Sequence, residues 1–183
     1  GIPQPDSGII LESILDWRDQ DTAHRTNGAE DDYYQALDPP YGAKNGRIDT
    51  TEELLLVRGV TPEYFYGRYE QGPDGATVVR FGLARLLTVY STRSQVNVNY
   101  APLPVLLSIP GMPEDAARAI YEQRKISPFR DLAEMRSAIP FPVGTWGSQL
   151  TTAQTGVFTL TAAAREENSK ARRVIRTIIS LSP

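Results

Sequence analysis

The sequence predicts an α+β fold in which a helical domain precedes a small antiparallel β unit. Apolar residues recur at helical spacing through most of the N-terminal part. One pattern of helix, glycine turn and second helix occurs at residues 54–60 and again at 106–112, which predicts two units similar to helix-hairpin-helix motifs. Two strand-like runs flank a polar turn near the end of the chain. We therefore assign residues 1–135 to the helical domain and residues 136–183 to a C-terminal antiparallel β segment.

The composition excludes several classes of protein. Hydrophobic residues make up 40% and charged residues 22% of the 183 residues, which favours a packed core over disorder. The absence of cysteine excludes disulfides, zinc thiolate sites and thiol catalysis. A net charge of −3 gives no general attraction for phosphate polyanions. No apolar run approaches the roughly 20 residues of a membrane helix, and the chain opens without methionine, so we expect a soluble fragment of a longer protein.

The first predicted element is a helix over residues 9–17, where the apolar positions follow helical periodicity. Asp6 and Ser7 are both suitable N-caps for this helix. An acidic stretch comes next, and the turn-forming residues of 38–46 then predict irregular backbone. These features place a polar loop between the first helix and the next.

The first helical hairpin is predicted from its caps and its glycine. Thr50 or Thr51 is the expected N-cap of a helix whose first turn carries two glutamates, the favoured charge at that end. Gly59 is the expected end of this helix. Thr61 is the expected N-cap of the following helix, with Pro62 at its first position.

The rest of the chain alternates between strand-like and helical patterns. Residues 77–99 are strand-like, and we expect them either to join the C-terminal sheet or to cross the helical domain. Helical periodicity then returns, and Ser127 is a candidate N-cap because a proline follows it. Residues 156–164 and 171–183 are strand-like around the polar sequence EENSK, which predicts a β-hairpin.

The second hairpin raises the alternative of a nucleic-acid-binding module. Its sequence SIPGMPEDAARAIYEQR resembles the helix-hairpin-helix motif of DNA-binding proteins, in which free backbone N–H groups of the turn face a phosphate. Pro113 stands where the second glycine of that motif belongs, and proline has no N–H to donate. Glu114 and Asp115 follow it and place carboxylates where the phosphate would lie. We expect the hairpin without the phosphate site, and no nucleic-acid partner.

The sequence offers few groups for catalysis. His24 is the single histidine, and no serine is flanked by glycines in the way hydrolases require. Paired carboxylates suit glycoside chemistry, but no other feature of the chain indicates a sugar cleft. We therefore predict that the protein is not an enzyme and has no catalytic residues.

Residues 16–34, DWRDQDTAHRTNGAEDDYY, hold six carboxylates between aromatic residues. With Asp19 as the first position of an EF-hand loop, Asp21 and Glu30 fall at the third and twelfth ligand positions. His24 stands where the glycine of that loop belongs, so the stretch is not an EF-hand. Oxygen-bearing residues on an irregular segment still suit Ca²⁺, which accepts flexible geometry. The alternative is a solvated acidic turn in which Arg18 and Arg25 pair with some of the acids.

We predict a structural calcium ion on residues 19–32, with backbone carbonyls completing its coordination. The favoured side-chain ligands are Asp19, Asp21, Glu30 and Asp31.

The remaining residues of the stretch have other expected roles. Asp16 continues the preceding helix and is expected to be a surface or capping residue. Asp32 precedes two tyrosines that turn inward, so it is expected to point away from the ion. Trp17 and Tyr33 are expected to anchor the two ends of the loop against the helical hairpins.

Six blocks of sequence resemble the type II secretion minor pseudopilin K family: DWRDQD, NGAEDDYY, PPYGAKNG, TTEELLLVRGVTPEYFYG, LLTVYS and VNVNYAP. They occur in order between about residues 11 and 129. The C-terminal hairpin agrees with the closing strands of a pseudopilin sheet in its character only.

The resemblance implies a structural protein of the periplasm. Members of this family carry a cleaved leader and a hydrophobic helix that anchors them in the inner membrane, followed by an α/β pseudopilin domain with a helical insert. They lie at the tip of the pseudopilus with the minor pseudopilins I and J, and they support export of folded proteins through the outer membrane. Calcium is associated with the helical domain of the family. We expect the anchor and the upstream sheet segments to be missing from this chain.

Overall fold

The structure is a computed structural model that describes residues 2–91, 94–154, 156–167 and 170–181. It contains helices together with small antiparallel strand pairs, so the predicted α+β class is confirmed. Contacts divide the chain into two compact units, residues 1–89 and 90–183.

The first unit consists of helices, a β-hairpin and a final short 3₁₀ helix. Its elements are α1 (Asp6–Arg18), α2 (Asp31–Gln35), a 3₁₀ helix (Thr51–Leu56), α3 (Pro62–Tyr66), β1 (Gly67–Gln71), β2 (Thr77–Phe81) and a short 3₁₀ helix (Leu83–Arg85). Its core is formed by the buried residues Ile10, Trp17, Ala29, Tyr34, Leu54, Val57, Val60 and Phe65. Because these residues come from α1, the acidic loop and the helical hairpin, the loop is part of the packed unit.

The second unit combines three helices with two strand pairs. Its elements are β3 (Val96–Asn97), α4 (Leu103–Leu107), α5 (Glu114–Ile126), α6 (Leu132–Ala138), a 3₁₀ helix (Thr145–Gln149), β4 (Leu150–Thr151), β5 (Val157–Arg165) and β6 (Arg172–Ser180). Leu106, Ile120, Met135 and Trp146 are among the buried residues of its core.

Residues of the predicted β segment pack into the helical core of this second unit. Ile139, Trp146 and Leu150 belong to the same buried cluster as α5. Contacts therefore divide the chain after residue 89, whereas the sequence pattern places a division near residue 135. The assignment of residues 136–183 to a pseudopilin β segment stays a prediction.

The strands pair locally. β1 and β2 form one antiparallel hairpin, and β5 and β6 form another antiparallel pair. The predicted turn EENSK includes residues 168 and 169, which lie outside the described residues. β3 and β4 make a parallel pair only two residues long. Of the strand-like residues 77–99, those of β2 join the preceding strand, and the backbone then turns into a 3₁₀ helix. Residues 96–97 form β3 and pair with residues 150–151 of the predicted C-terminal segment, and the course of the stretch as a whole stays a prediction.

The first hairpin follows its sequence signals closely. Thr50, rather than Thr51, is the N-cap residue. As in a capping box, the Glu53 carboxylate accepts from the Thr50 backbone amide at 3.1 Å. The helix that it caps is 3₁₀ rather than α. The side chain of Thr61 accepts from the Tyr64 amide at 3.1 Å, as predicted for an N-cap.

Both repeats contain a glycine whose backbone only glycine adopts readily. Gly59 has φ of +84° and Gly111 has φ of +78°, so the predicted glycine turns are present in both. At Gly59 a Cβ would also lie 3.0 Å from Cγ1 of Ile10. The two repeats lie in different compact units, and their placement in one helical domain stays a prediction.

The last helix starts at a different residue from the predicted one. Ser127 is not its N-cap, because α5 continues to Ile126 and Ser127 follows that helix as its C-cap. Asp131 takes the N-cap position of α6 and accepts from the Glu134 amide at 2.8 Å.

In the second unit, the side chain of Asn99 binds both backbone groups of Phe129. The Asn99 side-chain amide donates to the Phe129 carbonyl at 2.8 Å, and its Oδ1 accepts from the Phe129 amide at 2.9 Å. The neighbouring Val98 amide donates to the Thr151 carbonyl at 3.0 Å. Residues 98 and 99 therefore join three separate segments of the chain.

Among the helices of the described residues, none combines the length and the apolar character that a membrane crossing requires.

Candidate metal centre

The last turns of α1 place a carboxylate inside the protein. Asp16 is fully buried, together with Ile10, Ser13 and Trp17 of the same helix. The expectation that Asp16 is a surface or capping residue is therefore wrong. Helical spacing puts Asp16 on the same face of α1 as the buried Ile10 and Ser13.

Arg25 supplies the buried carboxylate with a counter-charge. Its Nη1 donates to Oδ1 of Asp16 and, over 2.5 Å, to Oδ2 of Asp19. The Arg25 backbone amide also donates to the other Asp16 oxygen at 3.3 Å. Hydrogen bonds with Asp16 and then Asp19 raise the pKa of the Arg25 guanidinium, so it is charged at any accessible pH.

The loop returns against this ion pair at Gly28. A Cβ on Gly28 would lie 2.7 Å from Cγ of Asp16 and closer still to its Oδ2. The Gly28 carbonyl accepts from Nη1 of Arg58 at 2.9 Å, which fixes the backbone in this position. Only a residue without a side chain fits between Asp16 and Arg25.

Three of the four predicted ligands come together beside the ion pair. Asp19, Asp21 and Glu30 each offer an oxygen, and these oxygens lie within 4.8 Å of one another. Glu30 is 2% exposed, and neither of its oxygens has a hydrogen-bond partner among the described residues. Oδ1 of Asp19 is also buried without a partner there. Buried carboxylate oxygens without donors carry a large desolvation cost unless a cation binds them.

The electrostatic environment of Glu30 also favours a cation at this site. Burial raises the pKa of the Glu30 carboxyl, and the negative charges of Asp16 and Asp19 raise it further. The ionised form is therefore disfavoured in the protein by itself. A divalent cation beside the three carboxylates would reverse that balance, because it favours the charged form. The donor set consists of hard oxygens and so fits Ca²⁺.

The structure places Asp31 apart from the three. Asp31 is exposed, and its Oδ1 accepts from the Ala43 amide at 2.6 Å. The structure does not bring its carboxylate into the group of Asp19, Asp21 and Glu30. Its role as a ligand stays a prediction.

Asp32 points elsewhere, in line with the expectation for it. Its Oδ1 lies 2.9 Å from Nε2 of His24 and accepts from the Tyr33 amide at 2.8 Å.

The aromatic residues hold both ends of the loop. Trp17 is buried and meets Tyr34 edge-to-face, with 5.0 Å between ring centroids. Tyr34 is completely buried and meets Tyr33 edge-to-face at 5.2 Å. The Arg58 guanidinium lies 4.9 Å from the centroid of the Tyr33 ring. Tyr34 is thus the main anchor at the second end, a role that the sequence argument gave to Tyr33.

The alternative of a solvated turn describes part of the stretch. Arg25 pairs with two of the acids, as that interpretation expects. Arg18 is exposed on α1. A turn that simply faces water does not account for Glu30, which is buried and lacks a donor in the described part of the chain.

Comparison with known proteins identifies the family. Two sequence models, both described as type II secretion system (T2SS), protein K, match residues 1–67 and 96–155, which together make up more than half of the chain. The chain belongs to the type II secretion system protein K family.

Individual members of the protein K family agree with this assignment. Type II secretion system protein K of Aeromonas hydrophila is 31% identical over 137 residues, which cover 74% of this chain and 39% of that protein. The protein K of Pectobacterium carotovorum subsp. carotovorum is 39% identical over 56 residues, or 31% of this chain and 17% of that protein. The chain spans less than half of the length of these two relatives.

The fold also matches a solved protein K structure. GspK, in the crystal structure of the GspK-GspI-GspJ complex from enterotoxigenic Escherichia coli, aligns with a TM-score of 0.66 at 18% sequence identity. The alignment covers 100% of this chain and 61% of that chain.

Proposed function

We propose that this chain is the periplasmic part of a minor pseudopilin at the tip of the type II secretion pseudopilus. The match of two protein K models on both sides of residue 89 carries this proposal, because it extends through most of the chain. In this role the protein supports the export of folded proteins through the outer membrane. The role is structural rather than catalytic.

We propose minor pseudopilins of the I and J type as its partners. The related GspK is known in a complex with GspI and GspJ, and its fold resembles the fold of this chain. We further propose that a hydrophobic helix of the full-length protein anchors the assembly in the inner membrane. This helix keeps the two units on the periplasmic side.

The test of this function combines a binding assay with a secretion assay. The chain is mixed with the periplasmic domains of the I and J type pseudopilins of the same bacterium, and the mass of the product is measured by light scattering. We expect one copy of each protein in the complex, and we expect the full-length gene to restore secretion in a strain that lacks protein K. No complex and no restored secretion would refute the proposal, and salt-sensitive retention on immobilised DNA would favour the nucleic-acid alternative.

We also propose that Ca²⁺ binds to the acidic loop and stabilises the first unit. Asp19, Asp21 and Glu30 supply carboxylate oxygens, and Asp31 is the proposed fourth side-chain ligand. The ion would supply a positively charged partner for the buried Glu30 carboxylate. It would stabilise the fold by mass action, because the unfolded loop offers no assembled site.

Thermal unfolding tests the calcium proposal. At a free calcium concentration of 100 times the Kd, we expect the folded state to gain about 2.7 kcal/mol over the chelated protein. The Tm of the chelated Glu30→Gln variant should lie above that of the chelated wild type, and calcium should raise it little. An equal Tm of the wild type in calcium and in chelator would mean that the loop is only a solvated acidic turn.

The raised pKa of Glu30 also predicts how the stability of the calcium-free protein depends on pH. The folded-state pKa of Glu30 lies above its usual value, so the folded protein binds more protons than the unfolded chain in the range just above pH 4.5. Calcium-free wild type should therefore become more stable as the pH falls from 7 towards 5. Glu30→Gln should lose this gain.

A further inference from the structure

The two carboxylate oxygens of Asp19 have different neighbours: one is bound by Arg25, and the other is available to the proposed calcium ion. Its Oδ2 accepts from Nη1 of Arg25 at 2.5 Å. Its Oδ1 is buried and has no hydrogen-bond partner in the part of the chain that the structure describes. The same carboxylate belongs to the group with Asp21 and Glu30. One oxygen is therefore held and the other is left free for a cation.

The Arg25 side chain is itself fixed by a hydrogen-bonded ion pair with Asp16. Asp16 is fully buried at the end of α1 and accepts from both the guanidinium and the backbone amide of Arg25. Gly28 closes the space beside this pair. Helix α1 therefore positions Asp16, Asp16 positions Arg25, and Arg25 in turn positions Asp19.

We propose that Arg25 is the positioning residue of the calcium site, and that Asp16 is its buried anchor rather than a ligand of the ion. This inference rests on the proposed binding of Ca²⁺ to Asp19, Asp21 and Glu30. Arg25 fixes the rotamer of Asp19 so that Oδ1 faces the other two carboxylates. Groups that orient a metal ligand in this way contribute to affinity without touching the ion.

The direction in which the Kd for calcium changes when Arg25 is replaced distinguishes positioning from simple electrostatics. Arg25 is positively charged and lies beside the site, so Coulomb repulsion alone predicts that its removal tightens calcium binding. Positioning predicts the opposite, because a mobile Asp19 has to be ordered when the ion binds. Loss of a group that orients a ligand typically weakens metal binding about 10- to 100-fold.

The experiment is calorimetric titration of CaCl₂ into the calcium-stripped chain and its variants. We expect Arg25→Gln to raise the Kd for calcium by about 10- to 100-fold. Arg25→Lys should bind more tightly than Arg25→Gln, because an ammonium group retains a charged donor for Asp19. Arg18→Gln is the matched control: Arg18 is exposed next to Asp19, and its loss removes the same charge from the neighbourhood. It should leave the Kd unchanged or slightly lower it.

A double variant guards against an effect of misfolding. Arg25→Gln leaves the buried Asp16 without its guanidinium partner. The variant Asp16→Asn/Arg25→Gln removes both charges and is expected to fold, which circular dichroism checks. It should still bind calcium at least about tenfold more weakly than the wild type. Wild-type affinity in this folded double variant, or tighter binding by Arg25→Gln, would overturn the role of Arg25 alone. No binding by the wild-type chain would overturn the calcium proposal as well.

Discussion

Replacing Gly28 with alanine is expected to destabilise the first unit by about 3 kcal/mol, at the upper end of the range for overpacking a well-packed site. The added Cβ would lie 2.7 Å from Cγ of Asp16, which is buried and cannot move into solvent. It would also lie 3.2 Å from Cβ of Arg25. Urea unfolding followed by tryptophan fluorescence measures the loss, because Trp17 lies in the same core.

Gly46→Ala is the matched control for this prediction. Gly46 lies in the same unit, and the nearest atom to its added Cβ is the Lys44 carbonyl oxygen at 3.7 Å, which is ordinary van der Waals contact. Its substitution should change the free energy of unfolding by less than about 0.5 kcal/mol. Equal stability of Gly28→Ala and Gly46→Ala would show that the loop does not pack against Asp16.

Trp17→Ala is expected to have the largest effect, a loss of about 3–5 kcal/mol of stability in the first unit. Trp17 is 3% exposed, and its ring lies edge-to-face with the rings of Tyr34 and Tyr41. Its removal frees the start of the acidic loop from the core, so calcium binding should weaken as well. Chemical denaturation gives the stability, and calorimetric titration gives the affinity.

The second tryptophan provides the comparison. Trp146 is equally buried, but it belongs to the core of the second unit. Trp146→Ala should destabilise that unit by a similar amount and leave the calcium affinity unchanged. If both variants weaken calcium binding alike, Trp17 has no special role as an anchor of the loop.

Local signals in the sequence predicted the elements that depend on local chemistry. The Thr61 cap and the Gly59 turn are determined by groups within a few residues, and both are present in the structure. The pairing of β5 with β6 also agrees with the two strand-like runs of the sequence. The start of α6 was missed because α5 continues to Ile126 and Ser127 closes that helix, so that Asp131 caps α6 instead.

The candidate site was only partly accessible from the sequence. The acidic composition drew attention to Asp19, Asp21 and Glu30, which the fold does bring together. The burial of Asp16 escaped because periodicity was counted over apolar residues only, and a carboxylate on the buried face was assigned to the surface. The pairing of Asp16 with Arg25 depends on how the loop folds back, and no spacing in the sequence gives that path.

The two-way bond between Asn99 and the Phe129 backbone limits which substitutions the second unit tolerates. A side-chain amide both donates and accepts, and the structure uses both functions on one peptide group. Aspartate would lose the donor and set a negative charge against the Phe129 carbonyl, serine would be too short to reach both atoms, and glutamine would carry an extra methylene. Over long divergence, neutral drift should therefore stop at position 99, because the two backbone bonds of the fold alone require asparagine there.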